Sequence, residues 1–134
     1  MKTDKMAGLS LFIVEDDDHF RETFIDAMSL SGVKVEGTRT GYEAIKALGK
    51  ALPGAIIIDL QLPDIHGFDL CRILKKSERL KKVPIVFITA SHQYNDPKDH
   101  AEMLLSGGAA FLSKPVTMEA LRAEIGRILP AGNA

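Results

Sequence analysis

Three acidic side chains directly follow two apolar runs of the sequence. Glu15 and Asp16 follow Leu11–Val14, and Asp59 follows Ala55–Ile58. If the two runs form neighbouring parallel strands, their carboxyl ends meet at one edge of a sheet and bring the three carboxylates together. Two like charges about 4 Å apart repel by about 4 kcal/mol at an effective dielectric constant near 20, so the cluster needs a cation. Because all the ligands are oxygens, we predict Mg²⁺.

Two further groups with suitable chemistry follow later apolar runs. Thr89 follows Pro84–Ile88, and Lys114 comes shortly after 109–112. A carboxylate nucleophile at Asp59, a metal ion, an ammonium group and a hydroxyl group together fit phosphoryl transfer to a carboxylate. In that reaction the last three groups would each meet one phosphoryl oxygen.

Strand and helix patterns alternate five times along the chain. The second strand, Val33–Glu36, alternates apolar with polar residues, whereas the other strands are continuous apolar runs. Apolar residues at helical spacing predict the inner faces of the first, second, third and fifth helices. These residues are Phe20, Phe24, Ala27 and Met28 in the first helix, which ends at Gly32, and Ile45, Leu48 and Leu52 in the second, which Thr40 caps. They are Leu70, Ile73 and Leu74 in the third, with Arg72, Lys75 and Lys76 pointing outward, and Met118, Leu121, Ile125 and Ile128 in the fifth, which Pro130 closes. A fourth helix in chain order is predicted from Asn95 or Asp96 to about Leu105, with Pro97 early and Gly107–Gly108 at its end.

Strict strand–helix alternation predicts a parallel sheet with right-handed crossovers and helices on both faces. The half-polar second strand suits an edge, which favours the strand order 2-1-3-4-5 and a single α/β domain of the (βα)5 flavodoxin-like type. We assign residues 1–134 to one domain with a core of about 9–129. This order makes the first and third strands neighbours, as the acidic cluster requires.

Composition excludes several other classes of protein. The net charge of -1 gives no basic excess for nucleic acid, and no apolar run approaches the roughly 20 residues of a membrane span. The pattern of a signal peptide is also missing, so we expect a cytoplasmic protein. We interpret Cys71 as small helix filling and the four histidines as loop or surface residues without metal-site spacing: His19, His66, His92 and His100.

Taken together and in this order, the motifs resemble the CheY-like receiver (REC) domain of two-component response regulators throughout the chain. The matching stretches are Val14-Glu15-Asp16-Asp17, Asp59-Leu-Gln-Leu-Pro63 with Gly67, Thr89-Ala90-Ser91, Gly107 with Phe111, and Lys114-Pro115. The resemblance implies that Asp59 accepts a phosphoryl group from a histidine kinase or a phosphotransfer protein. It further implies that Asp16, Asp59 and the Gln61 carbonyl ligate Mg²⁺, with Glu15 acting through water.

The resemblance also implies how the phosphoryl group is held and sensed. Lys114 would contact the phosphate, with a cis Lys114–Pro115 bond, and Thr89 and Phe111 would form a switch pair. The fourth helix, fifth strand and fifth helix would then present a changed face to an effector or, as a homodimer, to a second copy. Such a chain is a signalling phosphoacceptor that catalyses only its own phosphorylation and dephosphorylation.

The sequence departs from the usual receiver pattern in three places. Glu15 replaces the commoner aspartate, and Val116 stands where an aromatic residue is frequent. The segment from Thr89 to Gly107 is longer than usual, so the start of the fourth helix and the output face are where this chain should differ. We hypothesise that the polar stretch Ser91–Asp99 makes this face the most mobile part of the domain.

Three other functions compete with a phosphoacceptor switch. A haloacid-dehalogenase-type phosphatase needs a second acid two positions after the nucleophile, where this chain has Gln61. An FMN-binding module needs a phosphate loop after the first strand, where Glu15 and the acids that follow would repel the phosphate. A pseudo-receiver that acts as a phosphorylation-independent interaction module is the remaining alternative.

Overall fold

Five strands alternate with five helices in the computed structural model, which describes residues 8–90 and 96–129. The strands are β1 Ser10–Val14, β2 Lys34–Thr38, β3 Ala55–Asp59, β4 Ile85–Thr89 and β5 Ala110–Ser113. The helices are α1 Asp18–Ser29, α2 Gly41–Leu48, α3 Gly67–Lys75, α4 Pro97–Ser106 and α5 Met118–Ile128. Among these elements no helix is long and apolar enough to cross a membrane.

The five strands form one parallel sheet of order β2-β1-β3-β4-β5, which confirms the predicted topology. All five residues of β3 are buried at the centre of the sheet, whereas β2 is an edge strand with partly exposed residues. The register pairs Val14 with Ile58 and Asp59 with Ile88, so the carboxyl ends of β1, β3 and β4 lie level. The sheet therefore presents their terminal side chains along one edge.

The core consists of two layers, because alternate strand residues point to opposite faces of the sheet. On one face Phe12, Ile56 and Phe87 belong to the cluster that packs against α2, α3 and α4. On the other face Leu11 and Ile57 belong to the cluster that packs against α1 and α5. Close packing on both faces holds the strand ends, and hence the residues at the edge, in fixed positions.

Capping residues fix the starts of α2 and α4. Thr40 accepts a hydrogen bond from the Glu43 amide as the predicted cap of α2. Asp96 accepts from the Asp99 amide, with Pro97 at the first position of α4, so the predicted start of this helix is confirmed. Gly107 caps the carboxyl end of α4, and its φ of 102° is a left-handed conformation that favours glycine.

Short α2 is also held at its carboxyl end by a side chain from a distant segment. The guanidinium group of Arg79 donates to the carbonyl oxygens of Leu48 (3.0 Å) and Ala51 (2.7 Å). These carbonyls lie in and just after the last turn of α2, where helix carbonyls lack intrahelical partners. Arg79 therefore satisfies acceptors that the helix itself leaves open.

Three predicted side-chain positions are wrong. Leu52 is exposed and does not extend the inner face of α2, because that helix ends at Leu48. Ile73 is 41% exposed, since the buried positions of α3 fall on other residues of the helix. Lys75, predicted to point outward, is half-buried, and its ammonium group donates to the carbonyls of Lys81 and Val83.

Some predictions fall on parts of the chain that lie outside the described residues. These parts are 1–7, 91–95 and 130–134, which include His92, most of the Ser91–Asp99 stretch and the closing Pro130. The described end of that stretch, 97–99, is the first turn of α4. The second strand is observed at Lys34–Thr38, one to two residues later than the predicted Val33–Glu36.

Candidate functional site at the carboxyl edge of the sheet

Three carboxylates converge where β1 and β3 end, as the sequence predicted. One oxygen from each of Glu15, Asp16 and Asp59 lies within 4.8 Å of the other two. Glu15 is fully buried and Asp59 is 6% exposed, whereas Asp16 is open to solvent. The cluster therefore has a buried floor and one accessible side, through which a ligand can reach Asp59.

Lys114, just after β5, supplies the positive charge nearest to this cluster among the interactions described. Its Nζ lies 2.5 Å from Glu15 Oε1 and 4.4 Å from the centroid of the Phe20 ring. Its backbone amide donates to the carbonyl of Thr89 (2.7 Å), and the Lys114–Pro115 bond is cis, as expected. The sequence predicted Lys114 at this edge but gave no sign of its contacts with Glu15 and Phe20.

The environment of Asp59 disfavours its charged form. Burial raises the pKa of Asp59, and the neighbouring Glu15 carboxyl raises it further through a hydrogen bond and its charge, to about 7. The Gln61 amide, which donates to Asp59 Oδ1 at 3.1 Å, and the Lys114 ammonium act in the opposite direction but do not cancel the effect. Asp59 therefore favours its protonated form near neutral pH, and a bound cation would favour the charged form instead.

The loop between β3 and α3 is fastened to the start of α2. Asp64 accepts hydrogen bonds from the backbone amides of Gly41 and Tyr42, each at 2.9 Å. These bonds outweigh the opposing effect of burial and lower the pKa of Asp64. The approach is so close that a Cβ on Gly41 would lie 2.1 Å from Ile65 Cγ2. Sequence reasoning missed this contact, because nothing local to Asp64 indicates a partner more than twenty residues earlier.

His66 ends the same loop and caps α3. Its Nδ1 accepts a hydrogen bond from the Phe68 amide at 3.1 Å, and its backbone forms an isolated bridge with Gln61. The interpretation of His66 as a loop residue is confirmed, but its capping role was not predicted. The bridge holds the Gln61 backbone beside Asp59, where a carbonyl ligand for a metal ion was expected.

The two residues predicted to form a switch lie on adjacent strands. Thr89 is fully buried at the end of β4, and Phe111 on β5 is half-buried opposite Phe87. The Phe111 ring stacks against His100 of α4, with centroids 6.1 Å apart and planes at 25°, and lies 6.4 Å from the Phe68 ring. A movement of Phe111 would therefore be felt by α3 and by α4.

The donor set of the cluster fits a hard divalent cation. All its ligand atoms are carboxylate oxygens, which suit Mg²⁺ better than a softer metal. Burial and the neighbouring Glu15 carboxyl raise the pKa of Asp59 even with Lys114 present, so a bound cation would stabilise the charged form of Asp59. Glu15, Asp16 and Asp59 are thus the residues that could hold such an ion, and Asp16 lies on the side open to solvent.

A (βα)5 sheet of this order, with acids after β1 and β3 facing a lysine after β5, defines a receiver-type signalling domain. The family model described as the response regulator receiver domain matches residues 11–126. The chain therefore belongs to the response regulator receiver domain family.

Similar curated proteins are response regulators of two lengths. The polar-differentiation response regulator DivK of Brucella ovis is 33% identical over 110 residues, which are 81% of this chain and 86% of DivK. The transcriptional regulatory protein AfsQ1 of Streptomyces coelicolor is 33% identical over 123 residues, 92% of this chain. These residues correspond to only 52% of AfsQ1, so the chain spans about half the length of that relative.

Solved structures show the same fold. The chemotaxis response regulator CheY4 of Vibrio cholerae superposes with a TM-score of 0.83 at 27% identity, covering 92% of this chain and 99% of that one. The signal receiver domain of a histidine kinase from Syntrophus aciditrophicus gives a TM-score of 0.78 at 30% identity, covering 90% and 89%. The fold is therefore shared by a chain almost wholly made of one receiver domain and by the receiver domain of a kinase.

Proposed function

We propose that residues 1–134 form one receiver domain that acts as a Mg²⁺-dependent phosphoacceptor switch in a two-component phosphorelay. The observation that carries this proposal is the convergence of Asp59 with Glu15 and Asp16, beside an ammonium group 2.5 Å from Glu15. A carboxylate at a rigid strand end, open on one side and surrounded by charge-stabilising groups, is arranged for in-line attack on phosphorus.

The transfer itself moves one phosphoryl group between two nucleophiles. An Asp59 oxygen attacks the phosphorus of a kinase phosphohistidine, an O–P bond forms, and the N–P bond breaks with its electron pair returning to the imidazole. Bound Mg²⁺ would be held by Asp16, Asp59 and the Gln61 carbonyl, with Glu15 through water, and would neutralise the charge on the phosphoryl oxygens. Hydrolysis of the acyl phosphate resets the domain.

Lys114 and Thr89 hold the product. The ammonium of Lys114 leaves its ion pair with Glu15 as the cation arrives and donates to a phosphoryl oxygen. The buried hydroxyl of Thr89 donates to another and moves toward it, and Phe111 turns inward into the space that is vacated. The change reaches the face of α4, β5 and α5, through which the domain would contact an effector or form a homodimer in the cytoplasm.

The direct test is phosphorylation by acetyl phosphate with Mg²⁺, followed by intact-mass analysis. We expect one base-labile adduct in the parent protein and none in Asp59→Asn. Asp18→Asn is the matched control, because this exposed acid lies near the same edge outside the cluster and its loss should leave the adduct intact. An adduct that survives in Asp59→Asn would move the nucleophile to Asp16 or Asp17. No adduct in the parent would favour the phosphorylation-independent interaction module instead.

A further inference from the structure

The ammonium group of Lys114 contacts both a carboxylate and the face of an aromatic ring. Its Nζ lies 2.5 Å from Glu15 Oε1 and 4.4 Å from the centroid of the Phe20 ring. The Lys114 side chain is only 16% exposed. Because the group is largely shielded from water, its attraction to the ring is stronger than it would be on an open surface.

The two contacts differ in what happens when the site fills. Glu15 belongs to the acidic cluster, so a bound cation competes for its charge and weakens the ion pair. The quadrupole of the Phe20 ring is fixed and does not depend on protonation or on cation binding. Of these two contacts, the ring is therefore the one that keeps its attraction for Lys114 while the ammonium turns toward a phosphoryl oxygen.

Phe20 is itself held in place by the start of α1. Its backbone amide donates to the capping carboxylate of Asp17 at 3.1 Å, and its side chain, like those of Leu112 and Val116, packs against the core layer on the α1 and α5 face of the sheet. Phe20, Ala90, Lys114, Pro115 and Val116 line one surface groove. Val116 has no aromatic face, so without the Phe20 ring the lysine could turn out into this groove.

We propose that Phe20 is a positioning residue whose ring face holds the Lys114 ammonium at the edge of the acidic site, ready to meet the phosphoryl group. The proposal rests on the proposed function, in which Lys114 contacts that group. Phe20 does not touch Asp59 in this account, and its effect on phosphorylation passes entirely through Lys114. Its loss should therefore weaken binding of a phosphoryl analogue much more than binding of Mg²⁺.

Two substitutions at position 20 distinguish the effect of the aromatic face from the effect of side-chain size. Phe20→Leu keeps an apolar side chain in the helix but removes the aromatic face, whereas Phe20→Tyr keeps the face. The probe is beryllofluoride, an analogue of the phosphoryl group. In saturating Mg²⁺ we expect Phe20→Leu to bind it about 3- to 10-fold more weakly than the parent, whereas the affinity of Phe20→Tyr should stay close to that of the parent. The affinity for Mg²⁺ alone should change less than twofold in both variants. Phe24→Leu is the matched control, because Phe24 lies one turn later on α1, is fully buried and reports simple repacking of the helix.

A spectroscopic readout tests the contact directly. The ε-methylene protons of Lys114 should be shifted upfield by the ring in the parent and return downfield in Phe20→Leu. If that variant is too unstable to study, pentafluorophenylalanine at position 20 keeps the ring shape but reverses its quadrupole, and it should weaken beryllofluoride binding in the same way.

Three results would overturn the inference: unchanged beryllofluoride affinity in Phe20→Leu or in the pentafluoro variant, an equal loss in Phe24→Leu, or no recovery in Phe20→Tyr. Failure of the parent protein to bind beryllofluoride with Mg²⁺ would instead refute the proposed function. The two failures are thus distinguished by the parent protein alone.

Discussion

The raised pKa of Asp59 predicts that the metal-free protein loses stability as the pH rises toward neutral. In the native state Asp59 holds its proton up to about pH 7, whereas in the unfolded chain an aspartate releases it near pH 4. Between these values the native state binds more protons than the unfolded state, so the free energy of unfolding falls with increasing pH. This contribution is complete below about pH 4 and is lost above about pH 7.

The size of the effect follows from the same two values. Each pH unit inside the window changes the free energy of unfolding by about 1.4 kcal/mol. Raising the pH from about 5.5 to about 8 crosses roughly 1.5 units of the window, which corresponds to about 2 kcal/mol. Asp64, whose pKa is lowered, titrates below this range and does not contribute.

Urea unfolding in EDTA at the two pH values measures this loss, and Asp59→Asn is the reference. Ionisable groups distant from Asp59 are the same in both proteins, so their contribution to the pH dependence cancels in the difference. We expect the parent to lose about 2 kcal/mol more than Asp59→Asn. Millimolar Mg²⁺ should recover stability in the parent at the higher pH, because an ion bound only by the native state stabilises it. Equal pH dependence in the two proteins would refute the raised pKa of Asp59.

Three other changes test separate parts of the structure. Asp16→Asn should raise the melting temperature of the metal-free protein but reduce the shift produced by Mg²⁺, and an undiminished shift would remove Asp16 from the metal site. Asp64→Asn should lower the free energy of unfolding by about 1 kcal/mol, and Gly41→Ala should lower it by more, because the added Cβ would clash with Ile65. Asp69→Asn, at an exposed position, is the control, and an equal loss in this variant would argue against a stabilising role for the bonds between Asp64 and the start of α2. Thr89→Ala should keep the phosphoryl adduct but lose the changes in amide NMR signals that beryllofluoride causes in α4, β5 and α5. The amide signals of residues 33–52 should change little in either protein. Signal changes that persist in α4, β5 and α5 of the variant would show that Thr89 is not the switch residue.

The sequence predicted the topology and the acidic cluster for one physical reason. Continuous apolar runs mark strands buried on both faces, and an acid directly after such a run must lie at a strand end. Asp59 and Lys114 were therefore placed correctly at the same edge before any contact was known. The start of α4 was also predictable, because Asp96, Pro97 and Asp99 form a local capping pattern.

What the sequence did not reveal depends on contacts between distant segments or on small rotations of a helix. The Phe20 ring beside Lys114 and the Asp64 carboxylate on α2 join residues far apart in the chain. Ile73 was assigned to the wrong side of α3 because an apolar residue next to the inner face satisfies the same helical spacing as one within it.

The hydrogen bonds that Asp64 and Arg79 make with the two ends of α2, here called the two clamps, have a consequence for the order of folding. This helix has only eight residues, too few to be stable alone in water. Its first two amides donate to Asp64 and its last carbonyl, that of Leu48, accepts from Arg79, and both of these side chains lie later in the chain. During synthesis residues 41–48 leave the ribosome before either clamp exists. We therefore expect α2 to form only after the segment containing Arg79 has emerged. An early part of the chain would then become helical only once a later part can bind it.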